Sequence, residues 1–396
     1  MRTIRSFLRP LCVGLMLLPT ALNADTAGIV QKQTMLKGLL VIELGNGEMA
    51  GTASQMNATA ITTGDSRSET SVHFNQEVGD SMEKGLKEVV KHLRVKHGDK
   101  WAFGHEIEIA FKDKYMSKDG ASASTACALM LDAMITGRKL DKNFAVTGDM
   151  NADGSVLAVG GVPAKLRGAI KKKSQVVAVP LENRLSLLDS VISDGIGTMA
   201  RINVFTIKNL DEAIALSGEE RSEQITESIK EFELVQRAVR KDTAYLRNAK
   251  VQEKLKNILK LTPNHLSARI LLLKGTNRLP KQLTLEGSII TIDRSSSAVM
   301  DAIRKDGKME LGGLTRDQLA GALNEIRDKR KVVDKRVVPY ADSLEDLGRL
   351  IREFQAKPPN AYPMFKKKYD EIQSAALKVD GVRDKIVTES AEELLD

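Results

Sequence analysis

The residues best suited to chemistry lie in two short segments, KDGASAS at 118–124 and AVTGDMNADGSVLAVGGVPAK at 145–165. Ser122 opens a predicted helix, and a serine hydroxyl needs a base within hydrogen-bond reach to act as a nucleophile at neutral pH. Lys165 follows an apolar strand and a Gly-Gly turn, where it could be held against a core. A lysine can serve as that base only if burial lowers its pKa by several units from about 10.4. The two residues could therefore act together as nucleophile and base.

Each of these residues also has an ordinary structural explanation. A serine that opens a helix is usually an N-cap, and a lysine near a helix start is usually solvated. Thr147 is unremarkable in a predicted strand, where its hydroxyl could alternatively accept a hydrogen bond from the Lys165 amine and orient it. Taken one at a time, the residues leave both explanations open.

The order and spacing of the two segments resemble the proteolytic domain of the Lon protease family. That family carries its nucleophilic serine in a Gly-x-Ser-Ala turn at the start of a buried helix. Its second signature is a Thr-Gly-acid strand, a hairpin and then Gly-Gly-x-x-x-Lys. This sequence has Gly120-Ala121-Ser122-Ala123, Thr147-Gly148-Asp149 and Gly160-Gly161-Val162-Pro163-Ala164-Lys165. The separation of Ser122 and Lys165 is also that of the family, and the similarity extends over about 36–217.

The resemblance implies specific roles for these positions. It makes Ser122 and Lys165 the catalytic pair of a Ser-Lys dyad, with Thr147 and Asp119 in supporting roles. The other positions of the two motifs would shape the turn and the oxyanion site: Gly120, Ala121, Ala123, Gly160 and Gly161. The joint pattern favours the dyad over the separate structural explanations.

The sequence also departs from the family. The soluble branch of the family has two histidines on the strand before the serine, and the aligned residues here are Glu108 and Ala110. The glycine that usually follows Ser-Ala is Ser124. The ATP-driven motor of the family has no counterpart in this sequence, which predicts hydrolysis without ATP.

The elements that must position these residues alternate irregularly between strands and helices, which predicts an α+β fold. Asn46-Gly47 between two apolar runs predicts a β-hairpin. The strands and helices predicted after it are a helix from Asp80 or Ser81 to Gly98, a strand at 105–111, a buried helix at 122–137, two short strands joined by NADG, a helix at 164–173, a strand at 174–180, a helix near 183–194, a strand at 202–207 and a helix at 211–217.

The composition changes after Gly218 to long charged helices, which predicts a mostly α-helical C-terminal domain for interaction or packing. Residues 249–273 look like one helix-turn-helix of the tetratricopeptide kind, but no second copy follows, so an isolated helical hairpin is the simpler interpretation. Residues 282–293 (QLTLEGSIITID) are expected to be β-like. Helices are predicted at 219–262, 296–306, 315–356 and 360–393.

The first 24 residues have the features of an export signal. Three arginines and no acid precede or flank a 12-residue apolar stretch, and Ala24 is a suitable residue for cleavage. The predicted organisation is a signal peptide at 1–24, a linker at 25–35, a Lon-like proteolytic domain at 36–217 and a helical domain at 218–396. Cleavage would leave Cys127 without a disulfide partner in a periplasmic or secreted protein. An uncleaved signal that tethers the protein to a membrane is the alternative.

Several classes of function are disfavoured by the sequence. The net charge is +8, but no basic run is interleaved with aromatic residues, so no nucleic-acid partner is expected. No phosphate-binding loop, dinucleotide fingerprint or zinc motif is present, and we expect no nucleotide, metal or other cofactor. Asp149–Gly154 imitates half of a calcium loop, but Gly160 stands where the bidentate glutamate is needed, so a tight turn is expected.

Together these features predict an exported, ATP-independent serine endopeptidase of Lon type that cleaves unfolded or exposed polypeptide segments. The resemblance further implies a homo-oligomer, as the family forms hexamers. The alternative is an inactive Lon-fold scaffold whose helical domain mediates protein–protein assembly. A Lys165 amine directed into solvent would favour the scaffold.

Overall fold

The computed structural model of the chain describes residues 29–43, 49–65, 67–98, 101, 103–113, 119–304, 311–359 and 361–392. The predicted signal peptide at 1–24 lies outside these residues, as do residues 25–28 of the predicted linker. The first strand begins at Gln33, inside the segment that was expected to be linker.

A seven-stranded mixed sheet forms the centre of the N-terminal region, which confirms the predicted α+β class. Its order is β3-β4-β2-β1-β5-β8-β9, and β6 and β7 form a separate two-stranded hairpin. The strands are β1 (Gln33–Glu43), β2 (Met49–Thr62), β3 (Ser71–Phe74), β4 (His105–Phe111), β5 (Phe144–Val146), β6 (Asp149–Met150), β7 (Val156–Leu157), β8 (Val176–Pro180) and β9 (Asn203–Ile207).

The sheet has an antiparallel half and a parallel half. Strands β1 and β2 pair antiparallel from Gln33–Thr59 to Glu43–Met49, which confirms the predicted hairpin, although its turn lies outside the described residues. Strand β4 pairs antiparallel with β2 and parallel with β3, and β5, β8 and β9 run parallel. The run NFAVTGDM, expected to be one strand, is divided between β5 and β6 because the chain leaves the large sheet at Thr147-Gly148.

Five helices belong to the N-terminal region, and each coincides with a predicted helix. They are α1 (Asp80–His97), α2 (Ser124–Thr136), α3 (Val162–Lys171), α4 (Arg184–Asp194) and α5 (Leu210–Ser217). Helices α1, α2 and α5 share one core with one face of the sheet, and α3 and α4 share a second core with the other face. Gly137 ends α2 in a left-handed conformation (φ 73°), as its position predicted.

Seven further α-helices make up most of the described residues after α5. They are α6 (Glu223–Lys241), α7 (Ala249–Leu261), α8 (Leu266–Gly275), α9 (Leu285–Arg304), α10 (Arg316–Lys329), α11 (Val338–Ala356) and α12 (Tyr362–Glu392). Helices α7 and α8 form the expected helical hairpin. Within the described ranges, no helix combines the length and the apolar character needed to cross a bilayer.

Helices α6 to α8 pack against the sheet rather than forming a separate unit. Phe232 and Val235 of α6 lie in the same hydrophobic core as Val204 of β9. The fully buried His265 lies between the rings of Phe205 and Phe232, with centroids 4.4 and 4.5 Å away. The change of composition at Gly218 is therefore not a break in packing. Among the described residues, the core that contains no strand of the sheet begins at Leu283.

The prediction of a β-like patch at 282–293 is wrong, because residues 285–293 form the start of α9. Its isoleucines and threonines favour strands, but Ile289, Ile292 and Val299 fall at helical spacing and are buried in the third core. The Thr284 hydroxyl accepts a hydrogen bond from Gly287 N and donates one to Asp189 of α4. Tertiary packing and this start signal override the local β preference.

Two glycines allow α3 to lie directly on the backbone of β2. A Cβ atom added to Gly51 would lie 1.8 Å from the carbonyl oxygen of Ala164, and one added to Gly168 would lie 2.4 Å from the carbonyl carbon of Gly51. No Cβ atom fits between the two backbones at these positions. Because Lys165 follows Ala164, this close approach decides where the Lys165 side chain enters the protein.

We expect Gly51→Ala to lower the free energy of unfolding by at least about 2 kcal/mol, because the new methyl group must push α3 away from β2. Gly197→Ala is the matched control, since a Cβ at that exposed glycine meets nothing within 4 Å. The control should change stability by less than about 0.5 kcal/mol. Urea denaturation of both variants measures the difference, and equal stabilities would contradict the close approach.

Candidate active site

Ser122 lies in a tight turn before α2 rather than at the first position of the helix. A single 3₁₀ turn, Ala121–Ala123, precedes α2, which begins at Ser124. The turn is entered through Gly120 at φ 93°, a conformation that favours glycine. Ser122 is half-buried, and no side chain caps α2. The ordinary explanation of Ser122 as an N-cap therefore does not apply.

Lys165 lies in the first turn of α3 and is almost completely buried, with 1% of its surface exposed. Helix α3 starts after Gly161, whose left-handed backbone (φ 67°) turns the chain so that Lys165 N can bond Gly161 O. Because burial penalises the charged ammonium, it lowers the pKa of Lys165 to about 8. A substantial fraction of this amine is therefore neutral at mildly alkaline pH.

Thr147 connects the lysine to the serine turn. Its fully buried side chain follows β5, and its backbone N–H bonds Ala178 O of β8. The Lys165 amine donates a hydrogen bond of 3.1 Å to Thr147 Oγ1. Thr147 Oγ1 in turn donates one of 3.2 Å to the carbonyl oxygen of Ser122. The threonine thus holds the amine and the serine backbone in one hydrogen-bonded chain.

The backbone of the Ser122 turn is fixed from the β5–β6 connection. Gly148 N donates to Ser122 O at 3.0 Å, and Thr125 N and Oγ1 both bond Gly148 O. The Ser122 hydroxyl itself makes no hydrogen bond to any described residue. Structure therefore brings Ser122, Thr147 and Lys165 to one place, with the lysine linked to the serine through Thr147 rather than directly.

The remaining predicted residues surround this cluster at different distances from it. Asp119 is exposed, and its carboxylate accepts a hydrogen bond of 2.6 Å from Gly120 N. It lies beside the start of α1, since a Cβ on Gly79 would lie 2.2 Å from Asp119 Cγ. Ala121 is half-buried and Ala123 is buried within the serine turn, whereas Gly160 is exposed and Gly161 is half-buried before α3.

Asp149–Gly154 forms the expected tight turn of a hairpin. Asn151 N bonds Ser155 O at 3.1 Å, and Gly154 adopts a positive φ of 86°. The Asp153 carboxylate accepts bonds from the N–H and hydroxyl of Ser155 rather than facing a common centre with Asp149. Asp149 instead accepts bonds from Met150 N and the Ser124 hydroxyl.

Comparison with known proteins finds similarity to Lon proteases. Residues 25–217 match the Lon protease (S16) C-terminal proteolytic domain. Lon protease from Trichlorobacter lovleyi is 27% identical over 149 residues, which are 36% of this chain and 18% of that protein. Archaeal Lon protease from Methanocaldococcus jannaschii is 32% identical over 111 residues (28% of this chain, 16% of that protein). Lon protease from Finegoldia magna is 28% identical over 170 residues (42% and 20%).

The chain thus spans a fifth or less of the length of these curated Lon relatives. The Lon match ends at residue 217, so the helices from α6 onward lie outside it. Within the matched part, the similarity supports a protease and agrees with the sheet and helices described above.

The glycines that permit the close contacts around the site were not predicted from the sequence. Gly51 and Gly168 were not selected, although a glycine inside a strand is a known sign of close backbone approach. Gly148 was quoted only as part of a motif, yet a Cβ there would lie 2.7 Å from Thr125 Oγ1 and disturb the serine turn. These glycines act by permitting contact, which side-chain chemistry does not reveal.

We expect Lys165→Met to raise the free energy of unfolding at pH 7 by roughly 1–3 kcal/mol, because it removes a buried cation. Below pH 8 the native and unfolded lysines are both protonated, so the full cost is present. Between pH 8 and about 10.4 the unfolded chain binds more protons, and the stability of the wild type rises toward that of the variant. Denaturation at pH 7 and pH 10 measures this gap.

Lys171→Met is the matched control, since Lys171 lies exposed on the same helix. Its effect should be below about 0.5 kcal/mol and independent of pH over this range. A Lys165→Met variant that is less stable than the wild type at pH 7 would contradict the burial of a charged amine.

Proposed function

We propose that this protein is a serine endopeptidase that uses Ser122 and Lys165 as a catalytic dyad and does not require ATP. The observation that carries the proposal is the buried Lys165 amine, with its pKa lowered to about 8, bonded to Thr147 beside the Ser122 turn. A lysine in this state can take a proton, whereas a solvated lysine cannot at neutral pH. The burial therefore supports the enzyme over the inactive scaffold.

In the proposed reaction, Ser122 Oγ attacks the carbonyl carbon of the scissile peptide bond. The neutral Lys165 amine takes the hydroxyl proton and later gives it to the nitrogen of the departing amine. Water then attacks the acyl carbon and loses a proton to Lys165, and Lys165 returns that proton to Ser122 Oγ as the bond between Ser122 and the acyl group breaks. The proton transfers need the Ser122 hydroxyl within hydrogen-bond distance of Lys165 Nζ. In the substrate complex, rotation of the Ser122 side chain would bring the two groups together.

Thr147 is proposed as a positioning residue. Its hydroxyl accepts a hydrogen bond from the Lys165 amine and so orients the lone pair of that amine. The same hydroxyl donates to Ser122 O, which fixes the position of the amine relative to the serine turn. The backbone N–H groups of the Ala121–Ala123 turn are proposed to stabilise the oxyanion. Asp119, bonded to Gly120 N at the entrance of the turn, is proposed to control its opening.

Extended polypeptide segments are the proposed substrates. Strand β4 pairs with β2 only from Met56 onward, so residues 49–54 of β2 pair with β1 alone among the described residues. Gly51, in this open part of β2, lies against the backbone of Ala164 and Lys165. An unfolded chain could add to this edge as a strand and bring a peptide bond toward Ser122.

Export, ATP independence and assembly are also proposals. The N-terminal sequence supports cleavage of a signal after Ala24 and a periplasmic or secreted protein. The absence of a phosphate-binding loop motif from the 396-residue sequence supports hydrolysis without ATP. Similarity to Lon proteases supports a homo-oligomer, for which a hexamer is proposed. N-terminal sequencing of the secreted protein and light scattering would test the first and last of these.

We expect Ser122→Ala and Lys165→Ala each to reduce cleavage of an unfolded protein at least about a hundredfold, since each removes a group that takes part in bond making or proton transfer. Ser186→Ala and Lys171→Ala, at exposed positions of α4 and α3, are the matched controls and should retain activity. Peptide products are measured by mass spectrometry with and without ATP. Equal cleavage by all five proteins, or by none, would contradict the proposed enzyme.

Thr147 should affect rate more than substrate binding. We expect Thr147→Val to lower kcat about tenfold or more with little change in KM, because the amine loses the acceptor that aims it. Thr147→Ser, which keeps the hydroxyl, should restore most of the rate. The pH dependence of kcat/KM in the wild type should rise to a plateau with a midpoint near pH 8. A serine variant as slow as the valine variant would contradict the role of the hydroxyl.

A further inference from the structure

Three potential metal ligands meet on the sheet face formed by β3 and β4. His73 of β3 and Glu106 and Glu108 of β4 each place a ligand atom within 4.8 Å of the other two. His73 Nε2 lies 3.5 Å from Glu106 Oε1. The His73 and Glu106 side chains are 42% and 44% exposed, so an ion in solution can reach them.

The strand geometry creates this cluster. Ile107 and Ile109 of β4 point into the first core, so Glu106 and Glu108 both lie on the opposite face, two residues apart. Strand β3 runs parallel to β4, and His73 is the direct partner of Glu108 in the register. Neighbouring strands are about 4.8 Å apart, which brings the imidazole beside the two carboxylates.

The other histidines are engaged differently. The His97 ring bonds the buried Asp132, which also pairs with Arg138, and His265 bonds Asn203 inside the second core. The rings of His92 and His105 each bond a backbone carbonyl. Of the five histidines, His73 alone faces two carboxylates.

Charge also favours a cation at this place. Glu106 and Glu108 bring two carboxylates together, and His73 is the only ion-pairing partner of either within the described residues. A divalent ion would offset both negative charges and use the imidazole as a neutral ligand. Ligand atoms around such an ion lie about 3–3.5 Å apart, so small rotations of these partly exposed side chains complete the geometry.

We propose that His73, Glu106 and Glu108 bind a divalent first-row transition-metal ion, with Zn²⁺ as the representative. An imidazole with two carboxylates suits Zn²⁺, Mn²⁺, Co²⁺ or Ni²⁺, whereas Mg²⁺ and Ca²⁺ prefer oxygen ligands alone. Water would fill the remaining positions. Because the ligands lie on two strands that are separated in sequence, they form no recognisable metal-binding motif. The site is independent of the proposed peptidase reaction.

The bound ion would fasten an edge strand to the sheet. Strand β3 has four residues, and among the described strands it pairs with β4 alone. An ion held by His73 on β3 and by two residues on β4 links the strands side chain to side chain. Binding to the native protein alone also raises its stability. Zn²⁺ should therefore raise the Tm of the metal-free protein and slow amide hydrogen exchange in β3.

Isothermal titration of the full chain, freed of metal with a chelator, with ZnCl₂ tests this site. We expect saturable binding of one ion per chain in the wild type, and binding about tenfold or more weaker in His73→Ala and in Glu106→Gln. His105→Ala is the matched control, because His105 lies on β4 beside the proposed site but its ring bonds Phe103 O. This variant should bind Zn²⁺ as the wild type does. Circular dichroism without metal checks that each variant folds.

A ligand exchange separates metal binding from simple loss of folding. His73→Cys supplies another zinc ligand, so it should retain binding and give a thiolate-to-metal absorption band with Co²⁺. Wild-type binding that survives in His73→Ala, or is lost equally in His105→Ala, would overturn the proposed site. Absence of saturable binding to the wild type, or of the Co²⁺ band in His73→Cys, would also overturn it.

Discussion

The arrangement of the site depends on one constraint, the removal of the Lys165 amine from water. Burying a charged ammonium costs free energy. Among the described residues, the side chain that accepts a hydrogen bond from this amine is the neutral hydroxyl of Thr147 and not a carboxylate. A carboxylate would favour the charged form and return the pKa toward or above its ordinary value. A neutral acceptor leaves desolvation as the dominant effect, and desolvation favours the neutral amine that a base requires.

Backbone contacts enforce that burial. At Gly51 and Gly168 the backbones of β2 and α3 touch without an intervening Cβ atom, and this contact places Lys165 where the two elements meet. Gly148 N and Thr147 Oγ1, which lie in the connection between β5 and β6, both donate hydrogen bonds to the carbonyl oxygen of Ser122. Because Thr147 also bonds the Lys165 amine, this connection holds both the lysine and the serine turn. The helices α6 to α8 lie outside the Lon match, and they share the second core with α3, the helix that carries Lys165.

Much of this architecture could be predicted from local sequence. The hairpin at Asn46-Gly47, the end of α2 at Gly137 and the amphipathic α1 follow from turn chemistry and periodicity, and the motif around Ser122 and Lys165 located the candidate site. What failed depended on distant packing. The start of α9 was expected to be β-like because its isoleucines are strand formers, and the burial of Phe232 against β9 could not be inferred from a charged helix. The proximity of His73 to Glu108 depends on the register of β3 and β4, which the local sequence does not specify.

The most direct test of the account is the titration of the Lys165 amine itself. Lysine ε-carbons labelled with ¹³C report the protonation of each amine by NMR, and the signal absent from Lys165→Arg identifies the residue. One lysine should titrate near pH 8, well below the ordinary value of about 10.4. A Lys165 signal that titrates with the solvent-exposed lysines would contradict it, because the amine would then be charged wherever the protein is folded at neutral pH.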